Sequence, residues 1–294
     1  MTKQNNSNNF RIAKRNFEKD LKKVANLRIL YSTTKKLLDD NFDQCIGTLK
    51  SSLAQTQCYT IISAIEEMVE TTLICLSDQR FTTAEVLSRV ILEHSVNLIY
   101  IISENPKYRA RSFLRAHFEN AHSRAKKWHE YAISQKNKNA IDDAAARMEY
   151  LQRIKKVVGG INNAEAWPDA RRRFQSIGAE HFYHDVFAPA SDSIHTLGED
   201  SFNNWISGPM NKEYDHDLAL AVVHAEKGSY AVYMSTNALA FYAEIVRNLI
   251  ENSGNDQALQ CALHLADSFS KLISDFTTLH TATIDNDDKL ANQT

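Results

Sequence analysis

The sequence predicts an all-α protein, a multi-helix bundle of about eight to ten helices around one central apolar helix. Three observations carry that expectation. Glycine and proline, which punctuate chains, number 8 and 4 in 294 residues, too few for the turns of a sheet-containing protein of this size. Apolar residues recur at spacings of three and four through most of the chain instead of alternating. The third observation is the stretch 84–104, AEVLSRVILEHSVNLIYIISE. Its apolar residues cover nearly every direction around a helix and leave one line to polar side chains, the pattern of a buried core helix.

The elements follow in order. Residues 1–9 are rich in asparagine and lack an apolar pattern, so a structureless leader is expected, then a single helical domain over 10–283 and an acidic tail over 284–294. Phe10, Phe17, Leu21, Val24 and Leu27 recur at helical spacing among Lys and Arg, giving an amphipathic first helix that ends near residue 30 and docks on the core. Ser32-Thr33-Thr34 offers N-caps for a second helix to about residue 53, and a third is expected over 57–77. Thr82-Thr83 followed by Glu85 resembles a capping box before the central helix. Asn105-Pro106 ends that helix, and Pro106 suits the first turn of the next, which runs to about residue 135. After a polar break at 137–139, another helix spans 140–158 and stops at Gly159-Gly160. Residues 161–213 are the least regular, with short helices joined by loops. Asp215 or Asp217 opens a long helix to about residue 250, in which Gly228 marks a kink or a packing contact. A final helix covers 256–279.

The formal net charge of −2 hides a division: residues 1–106 carry +1, residues 107–173 carry +9 and residues 174–294 carry −12. A basic middle section fits RNA as a partner, or an attraction between halves of a fold, between two copies in a homodimer, or to another protein. Cys45, Cys58, Cys75 and Cys261 form no CxxC pair, so neither disulfides nor zinc is expected, and a reducing cytoplasm is. Arg89, Glu93 and His94 interrupt the longest apolar run, which argues against a membrane span. No P-loop, GxGxxG or GxSxG occurs, so no cofactor is expected. His181, His184 and Asp185 lack the spacing of a metal site.

Two groups of residues are candidates for function. In the central helix Arg89, Glu93, Asn97 and Tyr100 stack along one line. A buried Arg needs acceptors for five N–H groups. Arg89–Glu93 is an i,i+4 pair in the less favourable order, worth at most a few tenths of a kcal/mol, so further partners are expected, with Ser191 and His195 as candidates. The network is either structural or the floor of a ligand pocket, with His195 as acid or base.

The pattern R-x3-E-x6-Y formed by Arg89, Glu93 and Tyr100, with the later S-x3-H of Ser191 and His195, resembles a bacterial helical family catalogued as domain of unknown function 5677. The resemblance covers roughly residues 55–250 and implies an all-α fold. After His195 this chain departs from the small residues of that pattern, since Leu197 precedes Gly198.

A weaker similarity is to HEPN-type helical ribonucleases, in which Arg-x4–6-His, often contributed by both chains of a dimer, cleaves RNA without metal. It implies a role in stress or phage defence. There His moves the proton and Arg stabilises charge on the phosphoryl oxygens. Of three matches, Arg89 and His94 point ~140° apart and Arg111 and His117 ~120° apart, whereas Arg115 and His122 share a face, beside Arg111 and Glu119. Arg115 and His122 are therefore the catalytic candidates, against the plainer reading of a solvated or dimer-facing stripe.

Overall fold

A computed structural model describes the backbone of residues 3–190, 201 and 216–291. Among these residues there are ten α-helices, one π-helical turn and no strand, in agreement with the all-α class. In chain order they are α1 (Lys3–Asp39), α2 (Phe42–Gly47), α3 (Ser52–Ser77), α4 (Phe81–Ser103), α5 (Pro106–Ser134), α6 (Lys138–Val157), α7 (Ala170–Ser176), α8 (Glu180–Phe182) with the π turn Tyr183–Phe187, α9 (His216–Ser253) and α10 (Asp256–Ala291). Helix α1 takes in the asparagine-rich start, and α10 takes in most of the segment read as an acidic tail.

The first departure from the sequence reading is at Ser32-Thr33-Thr34, where α1 runs on without a break. These hydroxyls do not cap a new helix. They donate to the carbonyls of Arg28, Ile29 and Leu30 within the same one, at 2.8, 2.9 and 2.8 Å, the alternative bond open to Ser and Thr inside a helix. Val24, Leu27, Tyr31 and Leu38 continue one buried stripe through this region, so packing favours continuity. The second departure is at the start of α4, where Arg80 is the N-cap position and makes no side-chain cap bond. Phe81 is buried and meets Phe17 edge-on at 5.6 Å, which draws the helix start ahead of the expected capping box. Between these, the helix expected to run to residue 53 is the short α2, and α3 starts at Ser52 instead of residue 57, with the Ser51 side chain accepting from the Ala54 N–H. Pro106 is at the first turn of α5 as expected, and the Asn137 side chain caps α6 by accepting from the Ala140 N–H at 3.2 Å.

Helix α4 lies between α3 and α9, α1 packs along α9, and α10 closes the far side of α9. By length and composition α4 could cross a membrane, yet here its apolar faces are taken up by neighbouring helices, with Ile91, Leu92, Leu98 and Ile101 wholly buried. Small residues let α4 and α9 approach closely: the Ser88 and Ser235 hydroxyls meet at 2.9 Å between them. Gly228 is a packing contact, because a Cβ there would collide with the Phe17 ring. Across α1, α3 and α9 a polar clamp crosses the core. Lys35 pairs with Glu66, the Tyr242 hydroxyl donates to Glu66 Oε1 at 2.7 Å, and the Tyr31 hydroxyl donates to Glu70 Oε1 at 3.2 Å. Helices α5 and α6 form an antiparallel hairpin with a small core of its own, Phe118, Ala121, Leu151 and Ile161, separate from the main one.

Candidate anion-binding site

The polar line of α4 meets α7 and the loop before it. Asp169 fixes the start of α7 by accepting from the Arg172 N–H at 2.9 Å. Ala170, Arg173, Phe174 and Ile177 then share a face by their spacing of three and four, which turns Arg173 inward while Arg171 and Arg172 stay exposed. The Phe174 ring is locked between Phe187 at 5.0 Å and Phe241 at 6.0 Å, so α7 is anchored beside α4.

Arg89 lies with its guanidinium over the Phe187 ring at 3.2 Å and donates to Glu93 Oε2 at 2.9 Å. Arg173 approaches the other oxygen of the same carboxylate, Nη2 to Oε1 3.9 Å. Arg173 also donates to the Pro168 carbonyl and stands 5.3 Å from the Trp167 ring. Trp167 in turn meets Tyr100 edge-on at 5.1 Å and Phe113 at 5.0 Å. Tyr100 is held from the other side by Arg109, which stacks on its ring at 4.0 Å and donates to its carbonyl at 2.6 Å and to Glu104 at 2.6 Å.

Charge and hydrogen bonding are unbalanced here. Two guanidiniums, with side chains 12% and 8% exposed, share one carboxylate that is 42% exposed. The Nε atoms of Arg89 and Arg173 are both buried, and neither has a partner among the described residues. A buried donor left so costs roughly 1–3 kcal/mol. Burial drives the Arg173 guanidinium below its ordinary range; Glu93 and Asp169 pull the other way, and Arg89 adds to the depression. Arg89 is likewise pushed down by burial, and its bond to Glu93 opposes this. His94, on a different side of α4, has its pKa lowered by burial against a smaller opposing pull from Glu93. The arrangement is a positive cluster between α4 and α7 among aromatic rings, and its guanidinium donors are of the kind that hold an anionic group by charge-assisted hydrogen bonds.

Of the residues singled out from sequence, the structure brings Arg89 and Glu93 together and ties Tyr100 to the same site through Trp167. Asn97 is buried with its Oδ1 unbonded among the described residues. Ser191 and His195 lie outside the described residues. Arg173 was not singled out. Its signal was the apolar spacing of Ala170, Phe174 and Ile177 around it, hidden in a run of three arginines that reads as solvated.

Arg115 and His122 fall on one side of α5, and both are engaged. Arg115 donates to Glu119 at 2.7 Å and to the Ala164 carbonyl, and the His122 ring meets Gln152 at 3.4 Å. Gly160, at φ +78°, leaves room against the Arg111 guanidinium. Among the described residues no group of three or more His, Cys, Asp or Glu side chains is placed to hold a metal ion.

A family of unknown function (DUF5677) matches residues 58–209, just over half of the chain. The chain belongs to that family. No curated protein and no solved structure matches it. The matched span of this DUF5677 member contains Arg89, Glu93, Tyr100, Trp167 and Arg173, while α1 and the long helices α9 and α10, which supply much of the core, lie outside it.

Proposed function

We propose that this protein is a cytoplasmic binding or effector component whose α4–α7 recess takes a small anion, a carboxylate or phosphate group, on Arg89 and Arg173. The observation that carries the reading is the imbalance among the described residues: two buried guanidiniums, one shared carboxylate and two Nε donors with no partner there. An anion entering there gains charge-assisted bonds from donors already desolvated, so little reorganisation opposes binding. Glu93 orients Arg89 and is exposed enough to swing toward water as the ligand arrives. Tyr100 and Trp167 form the wall that sets which group can accompany the anion. The cytoplasmic setting is supported by four unpaired cysteines, three of them buried.

Titration calorimetry with inorganic phosphate, citrate and adenosine monophosphate tests the reading. At least one should bind the full-length chain saturably, and Arg173→Met should remove that binding. Absence of heat with all three, or equal binding by the variant, would sink it. The alternative, a metal-independent ribonuclease acting through Arg115 and His122, draws support from their shared face but asks Arg115 to leave both Glu119 and the Ala164 carbonyl. Cleavage of mixed-sequence RNA in EDTA, lost in His122→Ala, would establish that alternative.

A further inference from the structure

The α5–α6 hairpin carries a surface that the α4–α7 recess does not use. Ala121, Ala125 and Ala132 of α5 and Ala144 and Leu151 of α6 are buried along the seam between the two helices. The residue just before a seam residue is turned ~100° from it. An antiparallel pair has a local two-fold perpendicular to the plane of its axes, so the residues preceding the seam on both helices lie on one face of the hairpin. Those following it lie on the other. His122, after Ala121, and Gln152, after Leu151, do meet across the second face.

The first face therefore gathers Arg124 and Tyr131 from α5 and Tyr150 from α6. Lys127 and Trp128 are added by i+3 and i+4 spacing from Arg124, and Arg147 lies 5.7 Å over the Tyr150 ring. All six are exposed, the three rings by 43% for Trp128, 64% for Tyr131 and 45% for Tyr150. Asp143, which precedes Ala144, is the carboxylate that the same geometry places there. Three large rings left in water among Arg and Lys, on the section of the chain that carries +9, are not accounted for by the packing of the hairpin.

We propose that this face binds single-stranded nucleic acid. Exposed Trp and Tyr rings offer stacking surfaces to unpaired bases, and Arg124, Lys127 and Arg147 neutralise the phosphates between them. A duplex keeps its base faces stacked and would use the charges alone. A second copy docked face to face would set Arg124, Lys127 and Arg147 against their own counterparts, a like-charge contact that costs stability.

The test is fluorescence anisotropy of a labelled oligouridine of about 20 nucleotides with the full-length chain, with the molecular mass read in parallel by light scattering. Saturable binding is expected, with log affinity falling linearly against log salt. Trp128→Ala with Tyr131→Ala should weaken it roughly tenfold or more at fixed salt. Arg124→Glu with Lys127→Glu should flatten the salt dependence, and Arg173→Met should leave binding unchanged. The proposal is overturned by an absence of binding at low salt, or by a duplex binding as tightly with the aromatic variant unaffected. It is equally overturned if the mass of two chains falls to that of one in the aromatic variant, which would assign the face to a second copy.

Discussion

Two polar clusters lie within the helical bundle, the clamp around Glu66 on α1, α3 and α9 and the recess around Glu93 on α4 and α7, and their bonding is opposite in character. Each oxygen of Glu66 has its own donor, Lys35 on one and the Tyr242 hydroxyl on the other, while Tyr31 completes the group on Glu70. The Tyr242 and Tyr31 phenols are both pushed well up, by burial first and then by the neighbouring glutamates, so they remain protonated donors. For Lys35, burial works against the charge, yet the bond and attraction to Glu66, aided by Asp39 and Glu70, leave its pKa raised. Around Glu93, among the described residues, the donors outnumber the acceptors. A glutamate thus centres a fully paired clamp in one place and, among the described residues, an incompletely paired cluster in the other. What separates them is the count of donors against acceptors, because a satisfied buried network fixes a fold whereas an incomplete one is stable only if something else completes it or the cost is tolerated.

The sharpest way to break this contrast is to remove its two centres in turn. Glu66→Ala strands the Tyr242 hydroxyl and Lys35 together, and a loss of about 3 kcal/mol in urea unfolding is expected. Arg173→Met replaces an incompletely paired charge with an apolar side chain of similar length, and since Glu93 reaches solvent, the change in stability should stay within about 1 kcal/mol. If Arg173→Met cost as much as Glu66→Ala, the recess would be a second structural clamp. Tyr242→Phe removes one bond of the clamp and leaves Lys35 on Glu66, so a loss of about 1–2 kcal/mol should place it between the two.

The smallest effect is a pH dependence at His94, on another side of α4. Burial lowers the pKa of His94 below its ordinary 6.5, so the unfolded chain binds the proton more readily than the folded one. Its contribution is therefore fully present above about pH 6.5 and is lost as pH falls from there through the depressed folded value. His94→Gln should flatten the unfolding midpoint over that range relative to wild type. An unchanged slope would mean that His94 is not the group responsible.

How much of this was legible in the sequence differs between the two clusters. The line Arg89–Glu93–Tyr100 was visible because an apolar helix leaves polar residues conspicuous at i, i+4 and i+11. Arg173 was not, because its partner residues are some eighty positions away and its own run of arginines imitates a solvated segment. The clamp was invisible for a related reason: Lys35, Glu66 and Tyr242 each look ordinary on an amphipathic helix, and only the packing of α1, α3 and α9 brings them together. The helix break placed at Ser32-Thr33-Thr34 failed on a local ambiguity, since Ser and Thr hydroxyls serve equally as caps and as acceptor-seeking donors inside a helix, and the continuing stripe through Tyr31 and Leu38 decided between them.

The most direct test of the contrast is the thermal unfolding midpoint of wild type, Glu66→Gln and Arg173→Met, each with and without inorganic phosphate in the millimolar range. Phosphate should raise the midpoint of wild type and of Glu66→Gln by the same increment, about 2.7 kcal/mol of stabilisation at a hundredfold excess over Kd, and leave Arg173→Met unmoved. An equal rise in all three proteins would contradict the assignment of the recess as the anion site.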